Sequence, residues 1–303
     1  MTAPLVVLVT GASGGIGSRL LRGLGEHGWR RRCLVHRRPV RDADETVQGD
    51  LASPDSLRHA VAGASAIVHL AAVTHSRSPS RYDGVNLVGT QNLLTAAREA
   101  GTRRFLFVST RAISPDGGAY SRSKHRAEEA VRGAGVPWTI VRLPEVYGIG
   151  SAEGVDRILA RVRHGGFVPM VGGGADMLCP AHVDDVVGAC VRALEIPGAV
   201  GRTYTLAGPC LTMREFAELA GVAAGRRPRV LRVPVPVVAV LGALSRFLPL
   251  PLYPDQLARL RAPKPPASAD AEADLAFRPR RLREGLRDCL LFREPLAGAR
   301  TQL

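Results

Sequence analysis

The stretch "LVVLVTGASGGIGSRLLRGLG", residues 5–25, decides the fold of this chain. Its first five residues are an unbroken apolar run, which is typical of a strand buried on both faces of a parallel sheet. A glycine-rich turn follows, and apolar residues from Ile16 to Leu24 then recur at helical spacing. This order places a helix N-terminus, which attracts anions, at the carboxyl end of the strand.

The same alternation of strand and helix continues to residue 143. The pattern predicts strands at 5–9, 32–36, 46–50, 65–72, 103–110 and 137–143, and helices at 16–28, 53–63, 82–101 and 119–131. Alternating strands and helices indicate an α/β fold with a doubly wound parallel sheet of the Rossmann type.

Beyond Pro144 the pattern is looser and more helical. We expect a Rossmann domain over residues 1–149 and 181–206, and a small, mostly helical substrate domain over 150–180 and 207–303. The segment 172–180 reads as a loop. The apolar run 233–253 approaches the length of a membrane span, but prolines and Arg246 interrupt it. We therefore expect a helix over a substrate cleft, with no transmembrane segment.

The composition narrows the class of protein. The net charge is +14, but the arginines are spread along the 303 residues and aromatic residues make up only 5%. This favours a solvated basic surface, with peripheral contact to an anionic membrane or a partner, over nucleic-acid binding. The five cysteines are scattered without C-x-x-C spacing, and the chain opens without a leader-like segment. We therefore expect reduced cysteines, no metal site and a cytoplasmic location.

The glycine segment predicts a dinucleotide site. Gly11, Gly14 and Gly17 stand between the first strand and its helix. Glycines there allow a tight turn and a close approach of the backbone to a pyrophosphate, which the helix N-terminus then faces. The alternative is a plain glycine turn, but the strand before the segment and the helix after it favour the dinucleotide.

The end of the second strand favours NADP over NAD. An acidic residue there would bind the ribose 2′-hydroxyl of NAD, whereas this chain has His36, Arg37 and Arg38. Guanidinium groups pair well with a phosphate monoester. The alternative is that these arginines belong to a generally basic surface. Asp50 and Leu51, which follow the third strand, are expected to border the adenine.

Tyr120 and Lys124 lie one turn apart on a predicted helix. Only two of the 41 basic residues are lysines, so a lysine at this position is notable. An ammonium group beside a phenol lowers the phenol pKa, and such a tyrosine can exchange a proton with a carbonyl oxygen near neutral pH. The sequence therefore predicts a proton-transfer pair, with Lys124 lowering the pKa of Tyr120.

Other polar residues are predicted at the same sheet edge. Ser109 and Thr110 end the fifth strand, where a hydroxyl can bind a substrate oxygen. Asn86 is interpreted either as polar support for lysine or water, or as an ordinary helix-surface residue. His69 is expected to be packed in the core.

These motifs together resemble a known family. The segments "TGASGGIG", "GDL", "HLAA", "VNLVGTQNLL", "FVST", Y-S-R-S-K, "WTIVRLPEVYG" and "HVDD" occur in the order and spacing of the extended short-chain dehydrogenase/reductase family, also called NAD-dependent epimerase/dehydratase. The resemblance covers about residues 5 to 225. The C-terminal third resembles bacterial homologues of the 39-kDa-type accessory subunit of respiratory complex I, which bind NADP(H).

The resemblance implies Thr110, Tyr120 and Lys124 as catalytic residues. The predicted cofactor-binding residues are Gly11, Ser13, Gly14, Gly15, Ile16, Gly17, His36, Arg37, Asp50, Leu51, Leu70, Ala71, Ala72, Asn86, Ser109, Tyr120, Lys124, Leu143 and Val146. The predicted substrate contacts are Thr110, Arg111, Tyr120, Glu145 and Tyr147. His182 and the pair Asp184–Asp185 are further candidates, although Asp184 is equally placed to cap the next helix.

Two positions depart from family members that act on nucleotide sugars. Glu145 stands where those members usually have asparagine, and residues 177–179 are Met, Leu and Cys where they usually have arginine. A carboxylate and a hydrophobe there would repel or fail to pair a sugar diphosphate. The substrate is therefore expected to be a less charged, more apolar carbonyl or alcohol compound.

Three functions remain open on the sequence alone. The first is an NADP-dependent oxidoreductase that transfers a hydride between the nicotinamide and a small carbonyl substrate. The second is a nucleotide-sugar epimerase or dehydratase with tightly bound NAD. The third is a non-catalytic NADP(H)-binding assembly or sensor protein. A homodimer is expected because it is common in the family.

Overall fold

A seven-stranded parallel sheet organises the chain. The computed structural model describes residues 5–149, 154–245, 247–248 and 252–291. The strands are β1 (Val6–Thr10), β2 (Arg30–Val35), β3 (Glu45–Gln48), β4 (Ala66–His69), β5 (Arg104–Thr110), β6 (Trp138–Leu143), β7 (Val146–Tyr147), β8 (Phe167–Val171), β9 (Met177–Leu178), β10 (Ala181–His182), β11 (Thr203–Thr205), β12 (Leu211–Thr212) and β13 (Arg229–Val233).

Helices follow most of the strands. The α-helices are α1 (Gly15–Glu26), α2 (Pro54–Val61), α3 (Pro79–Tyr82), α4 (Gly89–Glu99), α5 (Gly118–Arg132), α6 (Asp156–Arg163), α7 (Val183–Glu195), α8 (Met213–Ala223), α9 (Val235–Leu244), α10 (Gln256–Arg261), α11 (Asp270–Leu275) and α12 (Leu282–Leu291). A π-helical segment covers Asp83–Val88, and a 3₁₀ turn covers Pro197–Ala199.

The strand order confirms the predicted fold class. The sheet runs β11-β6-β5-β4-β1-β2-β3, with every neighbouring pair parallel. The order reverses between β1 and β4, and in open sheets of this type ligands bind at the carboxyl ends of the strands beside that point. The glycine turn after β1 and the ends of β4 and β5 therefore share one edge.

Three apolar cores hold the layers together. One face of the sheet is covered by α1 and α7, and the other by α2, α4 and α5. A third core joins α6, β8, α8 and α12. Residues 271–277, around α11, return to the first core rather than the third. The division into a Rossmann domain and a substrate domain at the predicted boundaries stays a prediction.

Two local predictions differ from the structure. The helix expected over 82–101 begins at Pro79 and contains the π-helical segment. A strand was not expected at Phe167–Val171, yet this segment pairs in parallel with Arg229–Val233, and the expected loop 172–180 contains β9. These short strands are stabilised by partners far away in the chain, so local pattern does not reveal them.

The expectation that all five cysteines are reduced is wrong for two of them. Cys179 and Cys210 form a disulfide, with their Cα atoms 4.0 Å apart. The cause is strand pairing: Leu178 of β9 lies opposite Leu211 of β12 in an antiparallel ladder, so the next two residues along it face each other. Cys33, Cys190 and Cys289 are free thiols.

The apolar run near the C-terminus forms α9, and α10 follows it. Within the described ranges, no helix combines the length and the apolar character needed to cross a membrane. The helix that packs on α5 is α10, which begins just after the run. The helix that packs on α5 is therefore formed by residues that follow the run, and not by the run itself.

A buried carboxylate joins α5 to the sheet. Glu128 has no exposed surface (0%), and it accepts hydrogen bonds from Ser109 of β5, Arg142 of β6 and Arg132 of its own helix. Burial alone would raise the pKa of Glu128, but the bonds from Arg142 and Ser109 outweigh burial and lower it. The ionised carboxylate is thus part of the folded structure.

Replacing this carboxylate should destabilise the fold. We expect Glu128→Gln to lower the free energy of unfolding by about 3 kcal/mol at neutral pH, because two arginines lose their shared partner. Since the folded pKa is depressed, this stabilisation is complete above the unfolded value of about 4.3 and is lost as the pH falls through the folded value. Urea unfolding over a pH series measures both effects.

The neighbouring glutamate provides the control. Glu129 is mostly exposed, and its one ion pair within the described residues is with His125, so Glu129→Gln should change stability by less than about 0.5 kcal/mol. Equal unfolding curves for the two variants would contradict the structural role of Glu128.

Candidate active site

The glycine loop after β1 is packed against the neighbouring strand. Gly11 has a φ of +77°, and a Cβ there would stand 2.6 Å from the backbone nitrogen of Ala71. A Cβ at Gly17 would collide with the carbonyl oxygen of Gly11. These positions therefore require glycine for the chain's own packing.

The N-terminus of α1 is suited to an anion. Gly14 is the N-cap, no side chain caps the helix, and no acidic residue lies in its first turn. The first backbone N–H groups of α1, together with the helix dipole, can therefore bind a pyrophosphate. Ile149, which the sequence did not single out, packs against Gly15, because a Cβ at Gly15 would stand 1.9 Å from its side chain. The loop thus fits a dinucleotide.

The end of β2 is basic and exposed. His36, Arg37 and Arg38 are all exposed, and neither arginine forms an ion pair with any residue in the described part of the chain. The Nε2 atom of His36 lies 3.3 Å from Oδ2 of Asp50, the residue predicted to border the adenine. Leu51 beside it is buried. The carboxylate that lies beside the end of β2 is therefore that of Asp50, which follows β3 and faces His36.

His69, at the end of β4, is a packed residue as predicted. Its Nδ1 atom lies 2.6 Å from the hydroxyl of Thr10, and its Nε2 atom lies 2.9 Å from that of Thr90. Burial, with a smaller contribution from the charge of Lys124, lowers the pKa of His69 to about 3. The neutral ring joins β1, β4 and α4 beneath the half-buried residues 70–72.

Asn86 is not the helix-surface residue that one of its two interpretations expected. It is buried in the π-helical segment. Its side-chain oxygen accepts from the backbone N–H of Val73, and its amide donates to the Val73 carbonyl and to Ser123 of α5. Asn86 therefore ties the segment after β4 to α5, and its predicted contact with a cofactor stays a prediction.

Thr110 and Tyr120 are brought together at the carboxyl end of β5. The Thr110 hydroxyl lies near enough to the Tyr120 phenol to lower its pKa, and Tyr120 is buried while Thr110 is half-buried. Lys124 is also buried, where it donates to the carbonyl oxygen of Val108 at 3.0 Å and lies 4.0 Å above the ring of Phe107. The predicted catalytic residues therefore lie on one face of α5 and the end of β5.

The electrostatics of Tyr120 differ from the prediction. Burial raises the pKa of Tyr120, and the charge of Arg259 and the nearby Thr110 hydroxyl offset this only in part. The expectation that Lys124 lowers this pKa is wrong here, because its ammonium group points to the Val108 carbonyl. Burial lowers the pKa of Lys124 itself to about 7, against the charge of Glu128.

A helix from the C-terminal region covers Tyr120. The guanidinium of Arg259 in α10 lies 4.9 Å from the centre of the Tyr120 ring, and it donates to the Thr74 carbonyl at 2.9 Å. Asp255, at the start of α10, accepts from the backbone N–H of Tyr120 and from the hydroxyl of Tyr82. Local sequence pattern does not reveal Asp255 or Arg259 as neighbours of Tyr120, because they lie 135 or more positions from it.

Two cavities flank α10. One, of about 370 Å³, lies between α9 and α10 and is lined mainly by apolar residues, with Gln256 and Arg261 as its polar members. The other, of about 300 Å³, is more polar and includes Arg77, Asp116 and Arg122. Neither includes Tyr120, which α10 covers.

Two of the predicted substrate residues, Arg111 and Glu145, contact the segment just after α10. Arg111 is buried, donates to the Pro265 carbonyl at 3.1 Å, and keeps its Nη1 atom without a partner among the described residues. Glu145 accepts from Lys264 at 2.7 Å, and its pKa is lowered because this charge outweighs burial. The expected repulsion of anions by Glu145 is therefore offset by Lys264, which the sequence did not single out.

Tyr147 belongs to the third core, and His182 lies at the border of that core. The Tyr147 ring packs against His182 at 5.3 Å and Phe216 at 6.4 Å. His182, not Asp184, caps α7, because its Nδ1 atom accepts from the backbone N–H of Asp184. Asp185 pairs with Arg280 at 2.8 Å. These residues therefore have structural contacts, but the Tyr147 hydroxyl is buried with no hydrogen-bond partner among the described residues.

Comparison with known proteins identifies the family. The model of the NAD dependent epimerase/dehydratase family matches residues 7–207. The ceramide reductase of Caulobacter vibrioides is 34% identical over 248 residues, which cover 79% of this chain and 77% of that protein.

A plant relative and a solved structure are also similar. The mitochondrial NADH dehydrogenase [ubiquinone] 1 alpha subcomplex subunit 9 of Arabidopsis thaliana is 30% identical over 84% of this chain and 68% of its own length. It gives the complex I resemblance limited support, and an assembly role stays a prediction. The UDP-glucose 4-epimerase of Thermus thermophilus, solved with NAD, is 24% identical, with a TM-score of 0.76 over 94% of this chain and 98% of that chain.

The solved epimerase structure supports the fold. The family model and the bacterial relative support the family that the sequence motifs indicate. The chain therefore belongs to the NAD dependent epimerase/dehydratase family, as an NAD(P)-dependent oxidoreductase of the extended short-chain dehydrogenase/reductase type.

Proposed function

We propose that this oxidoreductase uses NADPH to reduce the ketone group of a neutral, largely apolar substrate. The observation that carries the proposal is the placement of the Thr110 and Tyr120 hydroxyls beside each other at the carboxyl end of β5. That edge also carries the glycine loop, so a dinucleotide in the loop and a carbonyl group at the hydroxyl pair would share one crevice.

Each catalytic side chain has a distinct role in this proposal. When bound, the dinucleotide supplies the hydride that the carbonyl carbon accepts. Thr110 holds the carbonyl oxygen by a hydrogen bond, and Tyr120 gives its phenolic proton to that oxygen as negative charge develops. Because burial raises the pKa of Tyr120, the phenol is protonated at neutral pH and ready to act as an acid. Lys124, whose ammonium group also donates to the Val108 carbonyl, would hold the ribose of the nicotinamide.

A cavity near the site supports an apolar substrate. It lies between α9 and α10, on the side of α10 away from Tyr120, and is mostly apolar. The bacterial relative is named as a reductase of ceramide, which is a lipid. We therefore propose a long-chain or otherwise apolar ketone as the substrate class.

The direct test identifies the cofactor and then the substrate. Freshly purified protein is denatured, any released dinucleotide is identified, and the emptied protein is titrated with NADPH and NADH. Tight, exchangeable NADPH and oxidation of NADPH with long-chain ketones would support the proposal. Stoichiometric NAD that survives purification, with turnover only of nucleotide sugars, would overturn it.

Removing the proton donor should abolish most of the activity. We expect Tyr120→Phe to lower kcat by about a thousandfold, because general acid catalysis by a positioned side chain contributes about 10²–10⁴. The affinity for NADPH, measured by fluorescence titration, should change little. Tyr253→Phe is the control, since Tyr253 contacts His75 and not Thr110. Similar kcat values for the two variants would contradict the assignment.

The two arginines after β2 should set the preference between the dinucleotides. We expect Arg37→Ala to raise the Kd for NADPH about tenfold and to leave that for NADH nearly unchanged, because only NADPH carries the 2′-phosphate. Arg192→Ala, which removes an exposed arginine of α7, is the matched control. Equal losses of affinity for both dinucleotides would remove the argument for NADP.

Arg259 should tune the proton donor. In the reduction, kcat/KM falls as the pH rises through the pKa of Tyr120, because the phenol must carry a proton. The charge of Arg259 lowers this pKa. We therefore expect Arg259→Gln to move the falling limb of the pH profile to higher pH, measured with saturating NADPH.

Charge-preserving and neighbouring variants separate this effect from simple loss of contacts. Arg259→Lys should restore the position of the limb, and Arg261→Gln should not move it, because Arg261 lines the cavity on the other side of α10. A limb that stays in place in Arg259→Gln would show that Arg259 has only a structural role.

A further inference from the structure

The surface along α9 is apolar and faces solvent. All ten residues of α9 are apolar, yet only Val238 and Gly242 of them are buried. Phe247 is 85% exposed and Val240 is 58% exposed. The exposed apolar residues that form this surface, the α9 patch, are Val237, Val240, Leu244, Phe247 and Leu248.

The geometry of the helix makes the patch continuous. Val237, Val240 and Leu244 follow each other at spacings of three and four residues, so they lie on one face of α9. The backbone N–H groups of Phe247 and Leu248 both donate to the carbonyl oxygen of Leu244, which continues the last turn. The opposite face, with Val238, packs toward α10. The patch is therefore not a part of the protein core that was left partly open.

The chain around the patch is basic throughout. Residues 219–254 contain five arginines and no aspartate or glutamate. Four of these arginines, Arg226, Arg227, Arg229 and Arg232, are exposed and form no ion pair with the described residues. Arg229 and Arg232 lie on β13, which leads directly into α9. Unpaired cations and exposed hydrocarbon therefore occur in one continuous segment.

We propose that the α9 patch docks on the surface of a membrane that contains anionic lipids. Apolar side chains of this kind enter the boundary between headgroups and acyl chains, and flanking arginines contact the phosphates of the headgroups. The helix is too short to span a bilayer, so it lies in the interface. This surface does not depend on the proposed reaction.

A membrane explains the composition better than a second copy of the chain. Two copies of a segment with five arginines and no carboxylate would repel each other across a symmetric contact. An anionic bilayer can take up the exposed apolar side chains, and its headgroups can neutralise the arginines.

Vesicle co-sedimentation tests the proposal with the full chain. We expect binding to vesicles of phosphatidylcholine with phosphatidylglycerol, weaker binding to phosphatidylcholine alone, and loss of binding at high salt. The double variant Val240→Ser with Phe247→Ser should lower the partition coefficient about tenfold or more. The matched control is Val222→Ser, which removes a valine that is 73% exposed on α8, outside the patch.

A second pair of variants tests the charge. Arg229→Gln with Arg232→Gln should lower binding to the anionic vesicles about tenfold, whereas Arg98→Gln with Arg103→Gln, at exposed positions elsewhere, should not. Binding of NADPH and the melting temperature verify that each variant is folded.

Two results would overturn the proposal. The first is absence of binding to anionic vesicles, or equal binding by the patch variant and Val222→Ser. The second is a dimer in sedimentation velocity that the patch substitutions dissociate while vesicle binding is absent, which would assign the patch to a second copy.

Discussion

The position of Tyr120 depends on two buried charges on the helix that carries it. Tyr120, Lys124 and Glu128 follow each other at intervals of four residues, so all three face the sheet from one side of α5. Glu128 accepts from side chains of β5 and β6, and Lys124 donates to the backbone of β5. Because isolated buried charges are costly, these contacts hold α5 in one register against the strands. The placement of the Tyr120 phenol beside Thr110 is a consequence of that register.

The same helix is held from the other side by the C-terminal region. Asp255 accepts from the Tyr120 backbone, and Arg259 lies over the Tyr120 ring. The phenol therefore lies between a sheet edge that positions it and a short helix that shields it from water. Burial raises its pKa, and the nearby guanidinium limits the rise. The acidity of the proton donor is thus set jointly by the two halves of the chain.

Much of the fold follows from local pattern, and much of the site from local motifs. The apolar run of β1, the glycines after it and the hydroxyls at the end of β5 each need only neighbouring residues to be recognised, and the sheet order agrees with them. Contacts between residues that are distant in sequence were either not predicted or predicted wrongly. The Cys179–Cys210 pair, the Glu145–Lys264 pair and the cover by Arg259 join segments separated by 31, 119 and 139 residues. Spacing in the sequence does not indicate such contacts, and only the folded structure shows them.

The pairing of Tyr120 with Lys124 shows the limit of helix spacing as an argument. An interval of four residues places two side chains on one face, but a long lysine side chain can turn toward any acceptor within reach. In this chain the Val108 carbonyl and the Phe107 ring offer Lys124 a hydrogen bond and a cation–π contact beneath the sheet edge. Those two groups, rather than the phenol, therefore fix the ammonium.

The surplus of positive charge is informative only where arginines have no partner. Inside the protein, Arg132 and Arg142 share Glu128, and Arg280 pairs with Asp185. Ion pairs that satisfy a carboxylate contribute to the fold and leave little charge to act at a distance. Among the described residues, two groups of exposed arginines without an ion pair lie at the end of β2 and on or just before β13. The first cluster borders the glycine loop and the second borders an exposed apolar helix, so the same excess charge suits a phosphate group at one place and a layer of anionic headgroups at the other.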